Sequence, residues 1–258
     1  MLKSLKSTIF SLLPESVQHR IILKKTGFKL LENGYFTNDI KTKMYMPPNQ
    51  PLWVNRMSKP YGHEPEVVKW YERNLKNSDV VFDIGVHIGY FAILTSKLKP
   101  NISFHGFEGN WYNAYYLKLN KLLHDQKSQW FITEKFVGKS DDSKMISIDN
   151  YISKKNASPT IFQMDVDGEE INVLSGAKKL LDAATCIFLI EVHPVDLANR
   201  KQTTEQFLKI FDSTKYKFRY LANLRADNSF WSDKISSAEM KDEFYLMALP
   251  AKLANDYL

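Results

Sequence analysis

The sequence predicts an α/β protein built on a doubly wound, mostly parallel sheet, with a helical and irregular extension at its N-terminus. Three observations carry that prediction. Residues 80–82, 102–107, 160–164 and 186–190 are nearly continuous apolar runs rich in β-branched and aromatic residues, the pattern of strands covered on both faces. Between them lie segments with helical spacing at 90–97, 111–123 and 169–181, the last placing Ile171, Leu174 and Ala177 on one face. A glycine-flanked turn joins the first run to the first of these helices. Strand alternating with helix at this spacing gives a parallel sheet with helices on both sides. Two later apolar runs, 216–224 and 244–249, flank a polar, Trp-containing loop and fit a closing hairpin.

The first third reads differently. Leu2, Leu5, Ile9, Leu12 and Leu13 share one helical face, and Pro14 opens a second helix ending near Gly27. Turn signals at Glu32-Asn33-Gly34 and Met46-Pro47-Pro48 break 29–62 into short strands and loops, and 63–74 reads as a helix leading into the first core strand. The expected division is an extension over 1–62 and a ligand-binding domain over 63–258.

The 258 residues are 44% hydrophobic and 25% charged, a globular composition that excludes disorder, collagen-like repeats and a disulfide scaffold. The single cysteine, Cys186, lies inside an apolar run and reads as a small buried hydrophobe. The net charge of +6 is unevenly spread: residues 1–78 carry 13 Lys/Arg against 6 Asp/Glu, and 79–258 carry 22 against 23. The apolar stretch at 9–13 is interrupted by Ser11 and stopped by Pro14 and Glu15, too short for a signal-peptide core. Charged residues interrupt every candidate membrane span. A cytoplasmic protein is expected, with peripheral membrane contact open to residues 1–27 through Lys3 and Lys6 beside the apolar helix face.

The most informative stretch is VVFDIGVHIGYF at 80–91. An apolar strand ends at Asp83, Gly85 and Gly89 flank a tight turn, and a helix follows. A dinucleotide fold would show G-x-G-x-x-G with a pyrophosphate at the helix N-terminus; here the turn reads D-x-G-x-x-x-G, so Asp83 suits a cationic ligand. The second strand ends at Glu108, 25 residues past Asp83, where an acidic side chain accepts hydrogen bonds from ribose hydroxyls. Ribose together with a cationic amino-acid moiety points to S-adenosylmethionine rather than a nicotinamide nucleotide. Taken singly, each residue also has a structural reading, Asp83 as a cap of the next helix and Glu108 as a solvated loop acid.

These motifs resemble, in their order, the FkbM-type S-adenosylmethionine-dependent methyltransferases. The resemblance spans about 63–194 and rests on HEPEVVKWYERN, FDIGVHIGYF, FHGFEGNWYNAYYLKLN, ISIDNYI, MDVDGEEINVLSGAKKLL and FLIEVHP. It implies a class I methyltransferase-like, Rossmann-like fold whose seven-stranded sheet has an antiparallel last strand, and O-methylation of a hydroxyl on a sugar, glycolipid or polysaccharide. The chain departs from the family pattern at Val86-His87 (usually Ala-Asn), Gly109 (Pro), Gln163 (Lys) and Asp167 (Glu). The cofactor-binding candidates are Asp83, Gly85, His87, Gly89, Glu108 and Asp165.

Open parallel sheets bind ligands beyond the carboxyl ends of their strands. Asp165 follows the third run, and Glu191 and His193 follow the fourth, so all three are expected on the edge that carries Asp83 and Glu108. They are the catalytic candidates. His193 is the first choice of base for a hydroxyl acceptor because an unperturbed imidazole titrates near 6.5, and Asp165 is the second. His193 also has a loop-ordering reading, and Asp165 and Asp167 a capping role for the helix near Glu169. Asp165, Asp167, Glu191 and His193 have donor types that suit a divalent cation, but their sequence spacing is not tight and no metal is expected. Of Tyr90, Trp111, Tyr112, Tyr115 and Tyr116, one is a candidate for stacking on adenine, while the four-residue spacings assign most to the core.

The expected partner is a small-molecule or glycan acceptor. Nucleic-acid methylation suits the basic first third, but MDVDG lacks the Asn/Asp-Pro-Pro-aromatic motif of base-methylating enzymes and the positive residues are dispersed. A non-catalytic membrane-surface scaffold with a vestigial nucleotide pocket is the reading outside enzymes.

Overall fold

A computed structural model describes residues 29–48, 50–124, 129–224, 226 and 229–254. The helices expected over 1–27 lie outside the described residues. The described residues start with a hairpin of β1 (Lys29–Tyr35) and β2 (Lys41–Met46), followed by α1 (Pro51–Met57) and α2 (Pro65–Asn74). Next come β3 (Val80–Ile84), α3 (Tyr90–Leu98), β4 (Ser103–Phe107), α4 (Trp111–His124) and β5 (Gln129–Thr133). The short β6 (Phe136–Val137) and β7 (Met145–Ile146) precede α5 (Ile148–Lys155), β8 (Ile161–Met164), α6 (Glu170–Ser175), α7 (Lys178–Ala183) and β9 (Ile187–Val192). The chain then runs through α8 (Pro194–Asn199), α9 (Thr204–Leu208), β10 (Tyr216–Leu221) and β11 (Phe244–Pro250).

Seven of these strands form one sheet in the order β10-β11-β9-β8-β3-β4-β5. Pairing is parallel from β9 to β5, and β11 enters between β9 and β10, antiparallel to both. This is the mostly parallel sheet with an antiparallel last strand that the sequence predicts, closed by the expected hairpin. β3 has β4 on one side and β8 on the other, so the strand order reverses there and a crevice opens beyond its carboxyl end.

The apolar runs form strands because both of their faces find cover. Every residue of β8 and β9 is buried. Val81, Phe104, Ile161 and Leu189 point into one hydrophobic cluster with α2, α3 and α4, and Phe82, Phe107, Phe162 and Phe188 into the other, on the side of α5 to α9. Phe82 pairs in register with Phe162, and Phe162 with Phe188, so a row of aromatic rings crosses the sheet. The Phe162 and Phe188 rings lie 5.1 Å apart, within the range of favourable aromatic pairs.

Two expectations are corrected. The single helix over 169–181 is broken into α6 and α7 at Gly176, where a side-chain Cβ would fall 2.0 Å from the Gly138 carbonyl oxygen. That close approach to the preceding loop overrides the helical periodicity. Residues 29–62 are also more regular than their turn signals indicate. Glu32-Asn33-Gly34 lies within β1, at an irregularity in register between Leu31 and Gly34, and Pro51 opens α1 instead of prolonging a loop.

The hairpin docks on the main core. Phe36, Met44, Tyr45 and Met46 join the cluster that holds Ile88, Tyr116 and Leu117. Asn120, fully buried on α4, accepts the Tyr45 N–H at 2.7 Å and donates to the carbonyls of Tyr45 at 3.1 Å and Ile88 at 2.8 Å. One amide thus ties the hairpin to the glycine turn after β3. Among the described residues no helix is long and apolar enough to cross a membrane. Asn120→Ala removes three hydrogen bonds to the backbone of Tyr45 and Ile88 and is expected to lower the unfolding free energy by about 2–4 kcal/mol. Equilibrium urea denaturation measures this, and a loss under about 0.5 kcal/mol would contradict that role.

Candidate active site

A cleft of about 800 Å³ opens beyond the carboxyl ends of β3, β4, β8 and β9. Asp83, on β3, is 3% exposed and projects into it. The next turn is forced by close packing: Gly85 has φ +82°, and a Cβ there would lie 1.9 Å from the Asp165 carbonyl oxygen. The loops after β3 and β8 therefore touch, forming a floor with no side chain above it. Gly89 does not line the cleft; at φ +94° it precedes α3 as its N-cap, so Asp83 is not that helix's cap.

Glu108 is buried at the end of β4, not solvated. Its carboxylate accepts the His87 N–H at 3.0 Å and the Asn110 N–H at 2.7 Å, fastening the glycine turn to the loop after β4. His87 lines the cleft with φ +51°, a left-handed conformation that costs a non-glycine residue energy and is held by this contact. Phe136, half-exposed, covers Gly109, where a Cβ would come within 2.3 Å of its ring. The ring takes the space that the proline of the resembling family would need, which accounts for that departure.

On the opposite wall the sequence-predicted residues meet as expected: Asp165, Glu191 and His193 all line the cleft. Asp165 and Asp167 do not cap α6, whose N-cap is Glu169 and which has no side-chain capping bond. His193 is 5% exposed, and its Nδ1 pairs with Glu170 Oε1 at 2.8 Å. The same oxygen accepts the His193 N–H at 3.1 Å and the Gly168 N–H at 3.2 Å. His193 Nε2 faces Asp165 Oδ1 at 3.5 Å and Asp167 Oδ1 at 3.6 Å. One donor atom from each of Asp165, Asp167 and His193 lies within 4.8 Å of the others, a separation a divalent cation can bridge; Glu191 stands outside this group.

Four contributors escaped the sequence reading. Glu170 is fully buried within the quoted MDVDGEEINVL, but its partner His193 is 23 positions away and no local pattern links them. Glu64 and His63, in HEPEVV, enter the cleft with Trp53. Of the five aromatic candidates, only Tyr90 lines the cleft. Tyr116 is core and Tyr115 packs against it, as the helical spacing indicates, while Trp111 is 77% exposed and Tyr112 lies at the surface. Cys186 is fully buried, and burial pushes its thiol pKa up, consistent with an inert hydrophobe.

The charge balance of the cleft is strongly negative. Burial holds Asp83 well above the ordinary carboxylate range, reinforced by Asp165, Glu64 and Glu108. Asp165 is raised to about 7, first by desolvation and then by Glu64. Burial also raises Glu108. Among the described residues no lysine or arginine forms an ion pair with Asp83, Glu108 or Asp165. Burial disfavours the charged form of His193, but the Glu170 hydrogen bond and the charges of Asp165, Glu191 and Glu170 outweigh it and lift the pKa to about 9. His87, by contrast, is lowered to about 4 by burial and by His63. Such a cleft can hold a cation and can hold an imidazole in either protonation state.

Over residues 106–220 the chain matches the methyltransferase FkbM domain. Among solved structures it is similar to an FkbM methyltransferase of Methylobacillus flagellatus KT, with 17% identity, 66% of this chain and 44% of that chain covered, and a TM-score of 0.47. The chain thus spans under half the length of that protein. It is also similar to a precorrin-6y C5,15-methyltransferase of Geobacter metallireducens GS-15, with 13% identity, coverages of 73% and 88%, and a TM-score of 0.45. The StiE O-MT segment, at 10% identity, coverages of 79% and 78%, and a TM-score of 0.50, shares the fold. No curated protein sequence matches the chain.

The raised carboxylates predict a stability signature. An acid whose folded pKa exceeds its unfolded value keeps its proton longer in the folded state, so stability falls as pH climbs from about 4 to about 7. Asp165→Asn removes that loss, discounted because the carboxylate remains partly solvated. It is expected to raise the Tm of the ligand-free protein by about 2–5 °C at pH 8 and to leave it nearly unchanged at pH 5. Thermal denaturation at both values checks this, and an equal shift at the two pH values would refute the electrostatic cause.

Proposed function

We propose, from the match of residues 106–220 to the methyltransferase FkbM domain, that the chain transfers a methyl group from S-adenosylmethionine to a hydroxyl of a sugar, glycolipid or polysaccharide. The observation that carries the cofactor reading is the convergence of buried Asp83 and Glu108 with half-exposed Asp165 on a glycine-floored cleft where, among the described residues, no lysine or arginine forms an ion pair with any of them. Sulfonium and ammonium groups supply the missing positive charge, and ribose hydroxyls suit the lone-pair capacity that Glu108 keeps after accepting two backbone N–H groups and the Asn113 side chain.

When bound, the cofactor supplies an electrophilic methyl group. The chain's part is to position, desolvate and deprotonate. Glu108 fixes the nucleoside end, and Asp83 and Asp165 draw the cationic end toward the carboxyl edges of β3 and β8. Glu170 orients the His193 ring through Nδ1, which leaves Nε2 toward the cleft as the base for the acceptor hydroxyl. The Glu170 hydrogen bond and the surrounding carboxylates lift the pKa of this imidazole to about 9. A cationic ligand beside Asp165 lowers that value and frees the ring to take a proton. Asp165 and Glu191 then stabilise the imidazolium that forms.

A second reading rests on the 4.8 Å grouping of Asp165, Asp167 and His193. A divalent cation there would orient the acceptor hydroxyl and occupy the nitrogen that otherwise serves as base. The basic excess over residues 1–78 supports an anionic acceptor or an anionic membrane surface as the partner outside the cleft, in an enzyme working in the cytoplasm or at such a surface.

Calorimetry is expected to show S-adenosylmethionine binding that weakens about 100-fold in Asp83→Ala and in Glu108→Ala, a loss on the order of 2.7 kcal/mol. No binding to the intact protein, or unchanged affinity in both variants, would sink the assignment. With labelled donor and a panel of glycans, lipids and RNA, transfer to a hydroxyl-bearing glycan or lipid is expected to persist in chelator and to drop about 10²- to 10⁴-fold in His193→Asn. Because the base form accumulates as pH rises through the His193 pKa, kcat/KM should rise with pH on its acidic limb, and that limb should vanish in His193→Asn. Activity abolished by chelator and restored by a divalent cation would favour the metal reading instead.

A further inference from the structure

We propose that the apolar side chains around the mouth of the cleft form a docking rim for an anionic lipid surface. Among the described residues seven large apolar side chains are exposed, and six of them, Leu52, Trp111, Tyr112, Phe136, Val195 and Phe230, are placed at the edge of the fold where the cleft opens. Trp111 opens α4 directly after the loop that follows β4, with the Tyr112 ring 5.8 Å away, and Phe136 follows β5 and itself lines the cleft. Val195 lies two positions past His193, which lines the cleft. Because β11 is antiparallel to both β9 and β10, the carboxyl end of β10 shares that edge, and Phe230 is held beyond it by the hydrogen bonds between Tyr220 and Ser232 at 2.7 and 2.8 Å. Leu52 lies one helical turn before Arg56 on α1, and Arg56 lines the cleft with Trp53. The seventh, Phe131, stands within β5.

Single apolar residues scattered over a surface need no explanation, but a set gathered at one opening marks an interaction site. Four of the six are aromatic, the side chains that suit a boundary between water and an apolar phase. The cleft they surround selects the partner. A protein laid across this rim would shut the opening through which an acceptor enters, whereas a lipid surface supports the rim and supplies the acceptor. Charge points the same way. Partly exposed Arg56, Lys135 and Arg200, carried by the same segments as Leu52, Phe136 and Val195, line the cleft, and α1 belongs to the first 78 residues, with their 13 Lys/Arg against 6 Asp/Glu. Arg200 also pairs with Glu169 at 3.0 Å, so apolar contact carries most of the binding and the cations set the lipid preference. Within the hydroxyl-methylation reading above, on which this one point rests, the acceptor such a rim delivers is a glycolipid, whose sugar enters the cleft while its acyl chains stay in the bilayer.

Cosedimentation of the full chain with vesicles of phosphatidylcholine and phosphatidylglycerol tests this. The intact protein is expected to bind them at least about tenfold more tightly than vesicles of phosphatidylcholine alone. The combined variant Trp111→Ser, Val195→Ser, Phe230→Ser should weaken that binding about 30-fold or more, while Phe131→Ser stays within about twofold of the intact protein. All four positions are exposed, and S-adenosylhomocysteine affinity within about twofold of the intact protein, measured by calorimetry, reports an intact cleft in the combined variant. No vesicle binding by the intact protein, or binding unchanged in the combined variant, would overturn the proposal. So would equal affinity for the two vesicle types, or an equal loss in Phe131→Ser, the sign of apolar adhesion without a defined face. A dimer in sedimentation velocity that the combined variant dissociates, without vesicle binding, would assign the rim to a second copy of the chain and overturn it too. Rim-dependent vesicle binding by a protein that binds no S-adenosylhomocysteine would support the rim and bring down the cofactor reading instead.

Discussion

Buried negative charge without matching positive charge is the constraint on which the rest of the structure turns. Removing a carboxylate from water is costly, and buried Asp83 and Glu108 are gathered with the half-exposed Asp165 where the strand order reverses, with no ion pair to a lysine or arginine among the described residues. Burial and mutual repulsion raise the pKa values of Asp83 and Asp165, and the carboxylates around His193 raise that of its imidazole. Under the proposed function, a cationic ligand would relieve that repulsion. Under the proposed function, the proton that His193 would take from the acceptor hydroxyl would offset the positive charge given up on methyl transfer, so the net charge facing the carboxylates would be conserved.

Such a concentration of charge needs a stiff frame, and the sheet supplies it. Strands buried on both faces fix the carboxyl ends from which Asp83, Asp165 and His193 project, and the Phe82, Phe162 and Phe188 row locks the three central strands laterally. The close approach of Gly85 to the Asp165 carbonyl makes the loops after β3 and β8 share one wall of the cleft. Asn120 extends the frame to the N-terminal hairpin, so residues outside the matched segment become part of the support for the glycine turn.

What could be read from the sequence follows from how local each signal is. Asp83, Gly85 and Glu108 sit at strand ends in a strand, turn, helix, strand unit, and a period of two or of 3.6 residues locates them without knowledge of the fold. Glu170 is invisible at that level because an acid in the first turn of a helix is ordinary; only the return of β9 beside β8 makes it the partner of His193. The break at Gly176 was hidden because helical periodicity continues across it, and the Gly138 loop that forbids a straight helix lies almost 40 residues earlier. Pro47, Pro48 and Pro51 argue for loop in a one-dimensional reading, yet Pro51 at a first helical turn is favourable and brings Trp53 to the cleft. The grouping of Asp165, Asp167 and His193 shows the same effect: loose spacing in the chain becomes 4.8 Å in space.

Gln163 shows how one departure from the resembling family sharpens this chemistry. Its position on β8 is in register with Asp83 and is 1% exposed, so whatever occupies it faces the carboxylates at close range. A lysine there, as in the family pattern, would supply an internal cation and relieve the crowding that raises Asp83. The amide instead forms neutral hydrogen bonds to Tyr71 and Tyr245 and leaves the charge unbalanced. It also completes the chain of contacts that ends on Glu64, since the Tyr245 hydroxyl accepts from Gln163 while donating to that carboxylate. Under the proposed function, the positive charge that a lysine would bring at position 163 would come from the cofactor instead.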